Sequence, residues 1–425
     1  MRLFILIFII STLTLNAQSN WQVLPDAFSN PNGQRYDDLF FLDESTGWAA
    51  NGFYAAIYKT TDGGITWSEQ LNENDLGGSY YFRNIEFLNE NVGFVGTLNG
   101  EFFKTSDGGT TWSEVTDLSP NPNAICGLDT VGDSTIYGCG AFFEPAHIIK
   151  SEDSGNTWSY MDMSEYADAL VEILFLDELT GYVSGNNSVG GIVLKTNDGG
   201  QNWTEIYNSN VEGEFVWKLQ TLGGNNDIVF GSIQPVAPNQ GKLIKSMDAG
   251  ETWASYNAPE TGIQALGFIT AEHGWLGGYS TGFYETTDGG QTWSTLDIGG
   301  NLNRIFILSP SLAYASGTSV YKFTEETLSN ESVVNALTES QLKIKILKNP
   351  VGDELEFTID FPSDDNMVIG LHDSNGKFIK RLSRDVISKM SFKTYNIDVS
   401  TLTSGIYYLD FHNNSNRFTK KFIKK

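Results

Sequence analysis

The chain has 425 residues, with 26 Lys and Arg against 52 Asp and Glu, a formal net charge of −26. That balance argues against nucleic-acid phosphates as a partner, and an acidic surface on an exported protein serves solubility before recognition. Clustered carboxylates would suit calcium, but no twelve-residue DxDxDG loop occurs, so no metal site and no cofactor is expected.

Residues 1–17 carry Met-Arg, the apolar core LFILIFIISTLTL and then Asn16-Ala17, which predicts a secretory signal peptide too short to favour a membrane span. From there an eight-residue string recurs six times: TTDGGITW ending at Trp67, TSDGGTTW at Trp112, SEDSGNTW at Trp158, TNDGGQNW at Trp203, SMDAGETW at Trp253 and TTDGGQTW at Trp293. Successive tryptophans are 45, 46, 45, 50 and 40 residues apart, the length of a four-stranded propeller blade. Each copy follows an apolar run (AAIYK, EFFK, HIIK, IVLK, KLIK, GFYE) and precedes another strand, so it reads as a hairpin turn. The acidic residues Asp62, Asp107, Asp153, Asp198, Asp248 and Asp288 can accept hydrogen bonds from turn amides, and Gly supplies positive φ. A structural role is therefore assigned to these aspartates and to Trp67, Trp112, Trp158, Trp203, Trp253 and Trp293, whose rings bury between strands.

Upstream of the boxes run paired strands such as LFFLDESTGWAANG and ILFLDELTGYVSGN. A seventh unit, RIFILSPSLAYASGTSVYKFTEET, has strands but a decayed box. Its missing outer strand is expected at the other end of the chain, where Asn20-Trp21-Gln22-Val23-Leu24 mimics the Thr-Trp start of the others. The expectation is an all-β protein: a seven-bladed β-propeller over 18–324, a linker over 325–340 and a small C-terminal β-sandwich over 341–425. Closure removes exposed sheet edges. The tail differs in charge as well as pattern, with a net of +4 over its last 85 residues against −30 before it.

The blade motif, an inner strand ending Phe-Leu-Asp, then Gly-Trp/Tyr/Phe and Lys-Thr-x-Asp-Gly-Gly-x-Thr-Trp, resembles the photosystem II assembly-factor propellers and their bacterial relatives with sialidase-type (BNR) Asp-box repeats. The resemblance covers roughly residues 20–324 and implies a scaffold for assembling an envelope complex. The tail resembles the type A C-terminal sorting domain of the Bacteroidetes type IX secretion system. It does so through Asn349-Pro350, Leu355, the hairpin Leu371 to Lys377, Leu402-Thr403-Ser404-Gly405-Ile406-Tyr407 and Lys420-Lys421-Phe422-Ile423-Lys424. This implies passage across both membranes with the secretion machinery as partner, then removal of the tail and release or surface attachment.

Chemistry is harder to find. A sialidase-type site needs three arginines converging on a carboxylate, a Tyr-Glu pair and an acidic proton donor. Arg35, Arg83 and Arg304 all lie near the starts of inner strands, but strand alternation turns Arg83 and Arg304 to opposite faces and pairs them with acidic neighbours. With only His147 and His273 before the linker, no Ser-His-Asp arrangement is expected, and no HExxH, CxxC or phosphate loop occurs. No catalytic residue is assigned, and the reading leans away from an enzyme. The alternative is a polysaccharide-active glycoside hydrolase of the Asp-box propeller type. Cys126 and Cys139 flank a turn at matching distances and form a candidate disulfide in an oxidising compartment. Ligand binding is expected on the face opposite the boxes. The long loops there carry Tyr80, Tyr81, Phe142, Phe143 and Tyr166, and the three arginines lie at its mouth. An exported module binding a glycan or an envelope protein is the leading reading.

Overall fold

In the computed structural model the described residues are 21–24, 27, 34–140, 145–279, 281–324, 343–348, 350–361, 365–373, 378–387, 391–412 and 417–425. The expected signal peptide and linker lie outside them, as do Phe142, Phe143 and Asn349. The chain divides into two compact units, Met1–Glu325 and Glu326–Lys425.

The first unit holds seven four-stranded antiparallel sheets. Their inner strands are Tyr36–Phe41, Phe82–Phe87, Gly127–Val131, Ala169–Phe175, Phe215–Leu222, Ile263–Phe268 and Arg304–Ser309. Each inner strand packs on the next and the seventh packs on the first, a propeller-like ring. The seventh sheet takes its outer strand from Trp21–Val23, which pairs antiparallel with Tyr321–Phe323. Trp21 is buried there, its ring edge-on to Trp275 at 5.3 Å and tilted against Phe323 at 5.6 Å. One short helix, Glu73–Leu76, interrupts the β structure. Its first turn is held by Asn72, whose Oδ1 accepts from the Asn74 amide at 2.9 Å.

The repeated string folds the same way each time. In the first copy Asp62 Oδ1 accepts from the Thr60 hydroxyl and the Thr66 amide, both at 2.9 Å, while Oδ2 accepts from the Thr66 hydroxyl at 2.7 Å. Thr60 Oγ1 in turn accepts from the Gly64 amide at 2.9 Å. In the fourth copy Asn202 replaces the second Thr, and its Nδ2 donates to Asp198 Oδ2 at 2.8 Å in place of the hydroxyl. The turn needs positive φ even where Gly is absent: Ser154 adopts 60° and Ala249 55°. Four of the box tryptophans, 67, 112, 203 and 253, donate their indole N–H to the carbonyl three residues back at 3.0–3.1 Å.

Between sheets, aromatic rings of one second strand stack on the Phe that ends the next inner strand. Trp48 lies 3.6 Å from Phe87, Tyr137 3.5 Å from Phe175, Phe230 4.1 Å from Phe268 and Tyr314 3.5 Å from Phe41. Such near-parallel contacts are worth about 0.5–1.5 kcal/mol each beyond burial. Third-strand lysines reach across the same junctions. Lys59 donates to the Gly108 carbonyl at 2.9 Å, Lys150 to Gly199 at 3.2 Å, Lys195 to Ala249 at 2.9 Å and Lys322 to Gly63 at 3.0 Å.

The second unit has two sheets, a three-stranded one (Lys343–Ile346, Glu354–Phe361, Ser391–Asp398) and a four-stranded one (Asp365–Asp373, Phe378–Ile387, Gly405–His412, Arg417–Lys424). Leu355 and Phe357 from the first share one core with Ile369, Leu371, Leu409 and Phe422 from the second. Leu355, Leu371 and Phe422, named in the sorting-tail pattern, are thus its apolar centre.

Candidate functional site

The inner strands of sheets one, two, four, five and six each carry a β-bulge at the same place. The register skips Asp37, Arg83, Val171, Trp217 and Gln264. An extra residue at this point breaks the two-residue alternation, so consecutive side chains need not face apart. The expectation that Arg83 and Arg304 point to opposite faces fails for this reason. Both lie close enough to Lys218 to press its ammonium pKa downward, together with the larger effect of burial.

Two layers of charge result. At the end of the ring opposite the boxes, Arg35 and Arg83 converge on the buried Asp37 at 3.1 and 3.6 Å. Arg35 also donates to Gln264 and Asn301, at 2.5 and 3.2 Å, tying sheet one to sheets six and seven. Deeper in, Arg304 donates to Glu172 at 2.7 Å and lies 3.6 Å from Asp38, and Lys218 donates to the other Glu172 oxygen at 2.6 Å. Burial pushes the Glu172 carboxyl up, but Lys218 and Arg304 outweigh it and hold it below its ordinary range. Asp38 and Glu86 are raised by burial, and Asp129 is pushed up to about 7 by burial. The three arginines are therefore split between two carboxylate clusters and do not converge on one open pocket.

The aromatics of the loop face separate as well. Tyr81 is half-buried beside Asp37, its phenol pushed up to about 12 by burial and then by that carboxylate. Tyr80 packs edge-on to Phe103 at 5.4 Å, and Tyr166 packs against the core of sheets three and four. Sequence reasoning passed over two exposed rings on this face, Phe53 at 54% and Tyr279 at 55%. Both sit just beyond the second strand of their sheets, where polar turn chemistry is the rule, and that departure is the signal that could have found them.

Cys126 and Cys139 are both buried and no disulfide joins them. Cys139 pairs across the sheet with Gly127, which offsets Cys126 by one residue from the symmetric placement expected.

A cavity of about 350 Å³ opens in the channel at the box end. Leu219, Phe268, Phe306 and Leu308 form walls, Lys218 and Arg304 line its depth, and Gly223, Ile269 and Ser309 stand at the strand ends that form its mouth. The turns after the inner strands share that end with the boxes: Gly63, Gly108 and Gly199 amides donate to the Ser45, Asn91 and Leu179 carbonyls at 2.8 Å. The cavity thus lies on the face that sequence reasoning set aside. The box aspartates themselves are occupied, and hydrogen bonds from Thr157, Asn202 and Thr292 hold Asp153, Asp198 and Asp288 at about 2. Among the described residues no group of three or more His, Cys, Asp or Glu is arranged to hold a metal ion, and no helix is long and apolar enough to cross a membrane.

Two family models match this chain. Residues 14–161 match that of the photosynthesis system II assembly factor YCF48, and residues 345–425 match a secretion system C-terminal sorting domain. The chain is an Asp-box propeller related to Ycf48-like proteins, fused to a Bacteroidetes-type sorting domain. It is 35% identical over 109 residues to the photosystem II assembly lipoprotein Ycf48 of Synechocystis sp., covering 24% of this chain and 31% of that one. To the Ycf48 of Thermosynechococcus vestitus it is 26% identical over 306 residues, 69% of this chain and 82% of that one. Among solved structures, YCF48 bound to D1 peptide covers 73% of the chain, and 98% of its own length, at 20% identity and a TM-score of 0.56. PorZ, a surface component of the type IX secretion system of Porphyromonas gingivalis, covers 94% of this chain and 61% of its own at 13% identity and 0.53. These two structures share the fold.

Proposed function

We propose that this chain is an exported, non-catalytic β-propeller of seven blades, carried out by its β-sandwich sorting tail to act at the cell surface as a binding or scaffold module for a glycan or protein ligand. The observation that carries this reading is the union in one chain of an Asp-box propeller related to assembly factors with a secretion sorting domain at 345–425. The domain limits proposed are a signal at 1–17, the propeller at 18–324, a linker at 325–340 and the tail from 341.

The ligand face proposed is the one opposite the boxes, which carries the Arg35–Asp37–Arg83 cluster with Tyr81 beside Asp37 and the exposed rings of Phe53 and Tyr279. Tyr80, Tyr166 and, outside the described residues, Phe142 and Phe143 are kept as candidates from the sequence. Rings of this kind offer large contact area at small entropic cost to sugars or peptides. A Ycf48 structure carries a D1 peptide, which supports a peptide ligand here by analogy. Two experiments test the reading. Fractionation of cells expressing the full chain should place it outside the outer membrane, and removal of 341–425 should leave it in the periplasm. A glycan array and an outer-membrane pull-down with the propeller face altered by Phe53→Ser and Tyr279→Ser should lose the ligand that the unaltered chain retains. Export unaffected by loss of the tail would sink the address, and binding indifferent to both substitutions would sink the face.

A further inference from the structure

We propose that the channel cavity at the box end binds a small anionic amphiphile, an aliphatic monocarboxylate, with its carboxylate on Arg304 and its chain against Leu219, Phe268, Phe306 and Leu308. The site is distinct from the ligand face proposed above and lies at the other end of the ring.

Shape and chemistry agree on this class. The cavity is roomy, about 350 Å³, and most of its wall is aliphatic or aromatic carbon. Wetting such a wall is unfavourable, whereas burying a hydrocarbon chain against it gains roughly 25 cal/mol per Å². Its charged groups, Arg304 and Lys218, lie in its depth, and the neutral polar side chains of Gln220, Thr221 and Ser309 line it nearer the strand ends. Arg304 keeps 23% of its side chain exposed, and it is the reachable cation, since Lys218 is almost wholly covered. A guanidinium has five N–H donors in a planar fork. Among the described residues its Nη1 and Nε face Glu172 and Asp38, which leaves the Nη2 side for a further acceptor.

Geometry points to an anion there: the cations Arg304 and Lys218 line the cavity, whereas among the described residues no carboxylate does. The guanidinium edge that Arg304 leaves beside its two ion pairs is where a further carboxylate can be met by a charge-assisted hydrogen bond. A cationic or neutral head gains nothing comparable.

Titration calorimetry of the full chain with decanoate, decanol and decyltrimethylammonium, each below its micelle concentration, tests the proposal. Decanoate should bind one to one, and decanol about tenfold more weakly, the ratio that one charge-assisted hydrogen bond of about 1.4 kcal/mol supplies. Ser309→Trp places a ring at the mouth without touching the charged layer, and should weaken decanoate at least about tenfold at an unchanged melting temperature. Arg304→Gln should abolish the preference for decanoate over decanol. Should that variant fail to fold, Ser309→Trp still decides. The proposal is overturned if the unaltered chain binds decanol as tightly as decanoate, if decanoate does not bind, or if Ser309→Trp leaves its affinity unchanged. Because the cavity and the rings of Phe53 and Tyr279 are at opposite ends, failure here leaves the surface-ligand reading standing.

Discussion

The junction between sheets one and two and the seam between sheets six and seven do the same job with opposite charges. At the first, Lys59 lies over the Trp48 ring at 4.9 Å and donates to the Gly108 carbonyl in the next sheet's box. At the second, the position of that lysine is Glu285, which accepts from the Trp275 indole at 3.0 Å and pairs with His273 at 3.0 Å. The cause lies one sheet further on. In sequence, sheet seven lacks the box that follows the third strand of the others. Lys59, Lys150, Lys195 and Lys322 meet a carbonyl of the neighbour's box. Lys104 meets the Asn156 side chain of the next box and Lys245 the Ala271 carbonyl after the next inner strand, so the third-strand residue is matched to its neighbour's turns and not to its own. Apolar contact replaces the missing bond, as the N-terminal Trp21 packs on Trp275, Phe283 and Phe323.

Breaking the seam should cost most. Trp21→Ala removes a ring that is 3% exposed, and thermal unfolding should show a loss of about 3–5 kcal/mol, the range for truncating a buried aromatic. An unchanged melting temperature would mean that the first strand does not complete the seventh sheet. Converting the seam to the ordinary pattern comes next. Glu285→Lys takes the acceptor from the buried Trp275 indole and the partner from His273, for an expected loss of about 1–3 kcal/mol in chemical denaturation. A gain in stability would contradict the matching rule. At an ordinary junction, Lys322→Met keeps the stem packed over Tyr314 but deletes the bond to Gly63, and about 1 kcal/mol should be lost.

Acid provides the smallest and most selective probe. The aspartates at 153, 198 and 288 ionise at about 2 in the fold against an ordinary 3.8, so the native state binds fewer protons than the unfolded chain between those values. Their contribution is complete above about pH 4 and fades as pH falls towards 2. Hydrogen exchange at the box turns should quicken over that range while Leu312–Ser316, in the boxless sheet, keeps its protection. Equal quickening at both places would show that the boxes are not the acid-sensitive elements.

Much of this was legible in the chain because turn chemistry is local. An Asp flanked by Ser or Thr two residues before and Thr four residues after can satisfy itself within eight residues, and Trp21 was recognisable as the stand-in for the seventh box. The run of third-strand ends, Lys59, Lys104, Lys150, Lys195, Lys245, Glu285 and Lys322, also holds the seam's reversal in plain view, though only the neighbour's missing turn gives it meaning. The channel was not legible. Bulges at Asp37, Arg83, Val171, Trp217 and Gln264 shift the inward face by one residue, and nothing in composition marks them. Cys126 and Cys139 missed each other for a different reason: the turn sets Val131 opposite Thr135, so that Cys139 faces Gly127. Of the loop aromatics within the described residues, Tyr80 and Tyr166 pack inward, because a loop long enough to reach solvent is also long enough to fold back on its own sheet.

The lysine that looks forward to the next turn has a further meaning for how such a chain can grow. A unit of this kind brings with it a donor for its successor and an acceptor for its predecessor. A tandem copy of the first or the fourth unit would arrive with both in the same form, since each donates to the next box carbonyl and accepts from the preceding lysine at its own. At Glu285 an acceptor stands where the others carry a donor, which makes that glutamate the mark of where the pattern changes.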